Sequence, residues 1–212
     1  MMVTRGGLVK KTPISEFRNI RKGGIRAVNL REDDELIGVQ LTDGSHEVLL
    51  VTRMGQCVRF HEDDVRPMGR TATGVRAVTL APDDEVVSFA RVEQDASVLL
   101  VSQRGYGKRT APDEFPAHRR GGKGVRAMNV TDKTGEIAGM CFIRDEEDVM
   151  LINDDGTIIR MPAQQISLYS RSAQGVRLMR LAEDSRVVSI APVPAEQEDD
   201  SDASEDAQDT QA

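Results

Sequence analysis

The sequence predicts an all-β, propeller-like fold of about four-stranded blades, and three observations predict it. A short motif recurs at a nearly fixed step: Gly24-Ile25-Arg26-Ala27-Val28, Gly74-Val75-Arg76-Ala77-Val78, Gly124-Val125-Arg126-Ala127-Met128 and Gly175-Val176-Arg177-Leu178-Met179, spaced by 50, 50 and 51 residues. A period of this size marks a propeller or a similar array of units. Between these motifs lie short runs rich in β-branched residues, bounded by glycine and acidic turns, as strands are. The 212 residues, 39% of them hydrophobic, are enough to bury the core of one all-β domain.

Each unit opens on its Gly-x-Arg strand. An acidic turn follows, at Asp33-Asp34-Glu35, Asp83-Asp84-Glu85, 132–135 and Glu183-Asp184. A second strand is expected at 36–41, 86–92, 137–143 and 187–190. A third runs over 48–52, 98–102 and 149–153 and ends in a tight turn at Gly55, Gly105 and Gly156; Val3-Thr4 and Gly7 fit the same place. The fourth strand carries a basic residue in a fixed column, Lys11, Arg59, Arg109 and Arg160. Six positions on comes an apolar anchor, Phe17, Val65, Phe115 and Ile166. Four strands per unit is the make-up of a propeller blade. The repeat body is expected over 1–193, as a partial unit at 3–23, whole units at 24–73, 74–123 and 124–174, and a partial unit at 175–193. The two partial units either close a small ring or belong to a longer array, and the second reading is favoured.

The formal net charge of −7 misrepresents the body. Residues 196–212 hold eight acids and no base, so without them the remainder stands at +1. The stretch 194–212 is expected to be a disordered acidic tail, because it has almost nothing apolar to bury. No apolar run nears the ~20 residues that span a membrane, and no secretory signal is visible. Two widely spaced cysteines, Cys57 and Cys141, without a CxxC pair, point to a reducing cytoplasm and to neither a disulfide nor a metal site.

The cations fall in columns. One is the arginine of Gly-x-Arg: Arg26, Arg76, Arg126 and Arg177. The second is the strand column Lys11, Arg59, Arg109 and Arg160. The third lies in the linking loop, four residues before the glycine, at Arg70, Arg120 and Arg171, with Arg18, Arg21 and Lys22 serving the first unit. The densest stretch is His118-Arg119-Arg120-Gly121-Gly122-Lys123-Gly124, where cations alternate with glycines that let the backbone lie close to a flat partner. Blades set side by side place such loops at intervals along one rim, which suits a curved polyanion such as bent duplex DNA. Internal ion pairs to the acidic turns are the competing reading for each arginine. With no Trp, two Tyr and five Phe, the chain has little of the stacking surface that single-strand binders use. Backbone contact with little base reading is therefore expected.

Catalytic motifs are sparse. Gly105-Tyr106-Gly107-Lys108-Arg109-Thr110 resembles the end of a phosphate loop, but Arg109 separates Lys108 from Thr110 and the context is a strand. His46, His61 and His118 have no metal-ligand spacing. No catalytic residue and no cofactor is assigned.

Several of these residues carry a family resemblance. Gly7-Leu8-Val9-Lys10-Lys11-Thr12 with Glu16-Phe17, Gly105-Tyr106-Gly107-Lys108-Arg109-Thr110 with Glu114-Phe115, and the Gly-x-Arg repeats resemble the C-terminal domain of the DNA gyrase A protein, over essentially residues 3–193. The resemblance implies a β-pinwheel, a disc of blades with duplex DNA bent around its basic rim. It implies a place in an ATP-dependent type IIA topoisomerase, whose gyrase A N-terminal region and gyrase B protein would be its partners. His118–Gly124 is similar to the family's Gln-Arg-Arg-Gly-Gly-Lys-Gly box, with His118 in place of Gln and in a later blade than the family places it. The family's catalytic tyrosine lies upstream, and neither Tyr106 nor Tyr169 matches its motif, so the chain alone is expected not to cleave DNA. The acidic tail resembles gyrase A tails, which implies competition with DNA for the rim. The alternatives are the corresponding domain of topoisomerase IV and a non-catalytic protein-interaction propeller.

Overall fold

The computed structural model describes residues 1–195, and the acidic stretch from Glu196 onward lies outside the described residues. The apolar runs form fifteen strands: β1 (Met2–Thr4), β2 (Leu8–Lys10), β3 (Leu36–Val39), β4 (Glu47–Thr52), β5 (Gln56–His61), β6 (Val75–Arg76), β7 (Val86–Arg91), β8 (Ser97–Ser102), β9 (Tyr106–Thr110), β10 (Val125–Arg126), β11 (Ile137–Ile143), β12 (Glu147–Asn153), β13 (Ile158–Pro162), β14 (Val176–Arg177) and β15 (Val187–Pro194). They assemble into four antiparallel sheets, ordered β3-β1-β2-β6, β10-β5-β4-β7, β11-β8-β9-β14 and β13-β12-β15. Each sheet is one blade.

At the heart of each blade is a hairpin, closed at the tight turn that the sequence marks with Gly7, Gly55, Gly105 or Gly156, all at positive φ. One flank of the hairpin takes the strand that follows the acidic turn. These flanking strands, β3, β7, β11 and β15, pack on one another from blade to blade. The Ser88 hydroxyl accepts the Met140 N–H at 2.9 Å across that seam, and Gly139 lies against Ile190. They form the inner side of the array. On the first three blades the other flank, the perimeter, takes the Gly-x-Arg strand that follows the next hairpin along the chain. β6 pairs with β2 through Leu8↔Arg76, β10 with β5 through Arg126↔Gln56, and β14 with β9 through Arg177↔Tyr106.

Each of these Gly-x-Arg strands therefore joins the blade before the hairpin it follows, and the chain then returns to supply that hairpin's own inner strand. The repeat boundaries read from the sequence at 24, 74, 124 and 175 cut across this exchange, because each of the first three blades takes strands from the next two units. Glycine is needed at the crossing. At Gly124 (φ +77°) a Cβ would overlap the Cys57 carbonyl and lie 2.9 Å from Val58 Cγ2. Gly24 has nearly the same φ of +78° but nothing within 4 Å of where its Cβ would stand, and Gly24-Ile25-Arg26 has no strand partner among the described residues. The outer edge of β13 is likewise unpaired among the described residues.

Three apolar clusters lie between blades. Val48, Leu50, Phe60 and Val65 join the first blade to the second. Leu49, Leu100, Phe115 and Met128 join the second to the third. Leu99, Leu151, Ile166 and Met179 join the third to the fourth. The anchors Val65, Phe115 and Ile166 are fully buried as expected, while Phe17 is only half-buried. The array is open at both ends, where Val39 and Val188 are more than half exposed.

Candidate nucleic-acid interface

The three cation columns have three different fates. Two members of the strand column, Arg59 and Arg109, are drawn into the fold, and all four meet carboxylates. Arg59 is 8% exposed; it donates to Glu47 Oε2 through Nε at 2.9 Å and to the Pro112 and Phe115 carbonyls at 2.8 and 3.1 Å. Arg109 is 5% exposed and spans Asp145 and the Ile166 carbonyl, the latter at 2.7 Å. Arg160 donates to Asp148 at 2.7 Å and to the Pro194 carbonyl at 2.7 Å. Lys11 sits 3.3 Å from Asp63 and 3.6 Å from Glu62. The expectation that the strand column faces a phosphate backbone is corrected for Arg59 and Arg109, whose charges are spent on carboxylates and carbonyls within the fold, whereas Arg160 stays exposed and Lys11 half-buried beside their acidic partners. A buried guanidinium needs its carboxylate and carbonyl partners to offset lost hydration, and here it has them.

In the Gly-x-Arg column, Arg76, Arg126 and Arg177 lie on the outer strands of the first three blades and Arg26 on a segment unpaired among the described residues, all four exposed. The acidic turns do attract arginines, but different ones. Arg5 pairs with Glu35 at 3.1 Å, and Arg53 approaches Glu85 and Glu136, each at 3.5 Å. Arg76 and Arg126 have no side-chain partner among the described residues. Arg26 bonds only Asn29 among the described residues, at 3.2 Å. Arg177 donates to the Tyr106 hydroxyl at 3.0 Å and stacks on its ring at 5.4 Å, while Lys133 covers the ring at 5.5 Å.

The loop column ties the perimeter together. Arg70 donates to the Arg26 carbonyl and Arg120 to the Arg76 carbonyl, both at 3.0 Å, and Arg171 donates to the Arg126 carbonyl. Each loop arginine thus reaches the Gly-x-Arg segment that opens its own unit, so loops and Gly-x-Arg segments alternate along one rim. The 118–124 loop is fixed through its backbone. The His118 N–H donates to the Arg59 carbonyl at 2.8 Å, Gly121 N–H to the Ala77 carbonyl at 2.6 Å, and Thr79 Oγ1 to the Gly121 carbonyl at 2.7 Å. Arg120 Nε donates to the Asp64 carbonyl at 2.8 Å. His118, Arg119 and Lys123 are left exposed, without a side-chain partner among the described residues. Arg21 and Lys22 are exposed in the same way. Sequence reading missed Arg66, exposed and unpaired among the described residues on the 66–73 loop; the position after the apolar anchor is Arg18 in the first unit but Pro116 and Ser167 in the later ones, so no full column marked it.

The lysine of the phosphate-loop-like stretch is not available to a nucleotide. Lys108 lies in a strand and is fully buried. Ligand atoms of Asp43, His46 and Glu62 lie within 4.8 Å of one another, a grouping that sequence spacing did not reveal. Its donors are occupied: Glu62 Oε1 accepts the Gly44 and His46 N–H groups at 2.8 and 3.0 Å, and Arg91 lies 3.0 Å from His46 Nε2. The cluster clasps a hairpin loop and supplies no open metal position.

A β-propeller-type domain with a cationic perimeter is the class of protein this geometry defines. Its family follows from comparison. The family model described as "DNA gyrase C-terminal domain, beta-propeller" matches residues 1–43, 46–93, 96–140 and 147–194, and the chain belongs to that family. The DNA gyrase A protein of Halalkalibacterium halodurans is 58% identical over 197 residues, covering 93% of this chain and 24% of that protein. Its counterpart in Streptococcus pyogenes serotype M3 is 58% identical over 193 residues, covering 91% and 23%. The chain therefore spans about a quarter of the length of the curated relatives it matches. The solved C-terminal domain of DNA topoisomerase IV superposes with a TM-score of 0.86 at 30% identity, covering 91% of this chain and 61% of that one. A gyrase A C-terminal domain superposes at 0.82 with 22% identity, covering 91% and 64%, which speaks to fold alone. Identity is much higher to the full gyrase A proteins than to the topoisomerase IV domain, so that alternative gains no ground. No helix among the described residues is long and apolar enough to cross a membrane.

Proposed function

We propose that the chain is the duplex-DNA-binding and DNA-wrapping domain of a gyrase A protein. The observation that carries the reading is the perimeter, where every Gly-x-Arg segment presents an exposed arginine and every loop arginine spans to the preceding segment. Meanwhile the acids of the turns pair with other arginines. A curved row of cations with few aromatics grips a phosphate backbone and bends it, and reads little sequence. In the holoenzyme, the bent segment is delivered to a strand-passing core formed by the gyrase A N-terminal region and powered by ATP on the gyrase B protein, in the cytoplasm. The domain itself binds and bends, and does not cleave.

The test is fluorescence anisotropy with a short duplex across a salt series. If the rim neutralises roughly six to ten phosphates, affinity falls by about 10³–10⁵ between 50 and 200 mM salt. Binding that ignores salt, or none at the lowest salt, would instead favour a protein-interaction propeller.

A further inference from the structure

Two lysines sit where a core should exclude charge. Lys10 is 1% exposed and Lys108 is 0% exposed, each inside the strand that backs a linking loop. Lys10 Nζ donates to the carbonyls of Ala27, Gly69 and Arg70 at 2.8, 3.0 and 2.6 Å. Lys108 Nζ donates to the Ser170 carbonyl at 2.7 Å and to that of Arg171. Neither ammonium has a carboxylate bonded to it among the described residues. Each is held by carbonyl dipoles of the loop above it, with Glu114 acting on Lys108 through space but not bonded to it. The fold does not require lysine there: the matching positions in the second and fourth blades are Val58 and Ile159. Burying a charge with no carboxylate bonded to it is costly where an apolar residue would fit, and such departures from core logic are expected at functional sites.

We propose that Lys10 and Lys108 are positioning residues of the DNA rim, buried cations that hold the loops carrying Arg70 and Arg171 from beneath and raise the positive potential along them. This rests on the DNA-binding reading above. The loops so held carry the arginines that span to the neighbouring Gly-x-Arg segments. Burial lowers the Lys10 pKa, with help from Arg70. Burial also pushes Lys108 down to about 8, aided by Arg171 and opposed by Glu114 and by Cys57. A phosphate brought to the loop favours the charged form and raises that pKa, so binding takes up a proton near and above pH 8. The charge-dependent part of the affinity is complete below the free-state pKa and is lost as pH rises from there through the higher pKa of the bound state.

The experiment compares the wild-type chain with Lys108→Met by anisotropy with a 30-base-pair duplex at pH 7 and pH 9. Lys108→Val, which copies the second blade, replaces the first variant should that one fold poorly. One unit charge about 10 Å from a phosphate, at an effective dielectric near 20, changes affinity by roughly tenfold. The variant is expected to bind about tenfold more weakly at pH 7 and to lose the fall between pH 7 and 9 that the wild type shows. Wild-type affinity in the variant, or weaker binding with an unchanged pH profile, overturns the proposal, the second outcome marking a purely structural lysine. A wild-type chain that binds no duplex at any salt overturns the DNA reading itself and the inference with it.

Discussion

Gly24 and Gly124 form an internal control for the strand exchange that defines this fold. They share a φ near +78°, but Gly124 crosses directly over the hairpin of the second blade and Gly24 crosses nothing. Replacing either with alanine incurs left-handed strain of about 1 kcal/mol. At Gly124 the new Cβ also meets Cys57 and Val58, and the nearest of these atoms are strand backbone rather than a side-chain tip. Relief requires β10 to lift from β5, which breaks the pairing at Val125↔Cys57 and Arg126↔Gln56. Two backbone hydrogen bonds at about 1 kcal/mol each bring the cost to at least ~3 kcal/mol, before any exposure of the buried Ala127 and Met128 that follow. For a domain of this size, 1 kcal/mol corresponds to roughly 2–4 °C in Tm. Gly24→Ala should therefore lower Tm by about 2–4 °C and Gly124→Ala by about 6–12 °C, read by circular dichroism on matched samples. Equal shifts in the two variants would refute the claim that the outer strand is seated by glycine at the crossing.

Three further outcomes follow from the same geometry. Arg119→Ala combined with Lys123→Ala should weaken binding to all duplex sequences alike and reduce the slope of log K against log salt by about 1.8; an unchanged slope would remove the 118–124 loop from the interface. Arg59→Met should destabilise the fold by about 2–3 kcal/mol, because Glu47 and two carbonyls lose their donor, with the salt slope of DNA binding intact; a lower slope would return Arg59 to the interface. Burial pushes the thiols of Cys57 and Cys141 up to about 12, so both should resist a thiol reagent at pH 8 until the protein is unfolded, and rapid native-state labelling would contradict their packing.

Much of the fold was legible because it is written in local terms. The 50-residue step, the hairpin glycines and the apolar anchors each depend on neighbours within one unit. The strand exchange was not legible, because Gly124-Val125-Arg126 pairs with residues nearly seventy positions earlier and nothing in its own unit marks that choice. The same distance hid the role of the strand column. Arg59 looks like any exposed basic residue in sequence, yet its acceptors are Glu47 across the hairpin and carbonyls of the next unit at Pro112 and Phe115. Lys10 was read only as part of a family-resembling stretch, and Lys108 also as the end of a phosphate-loop-like one; the available signal was that Val58 and Ile159 fill their positions elsewhere. The loop arginines, by contrast, do lie on a rim, although they spend part of their hydrogen-bonding capacity on neighbouring carbonyls.

The most direct test of the central claim is topological. The chain is bound to nicked circular DNA, the nick is sealed with ligase, the protein is removed, and the linking number is read. A shift that grows with protein concentration and vanishes at high salt is the expected result, because DNA bent around a basic rim is trapped with a definite hand. Salt-sensitive binding to short duplexes with no shift in linking number would contradict wrapping by this domain and leave it a DNA clamp.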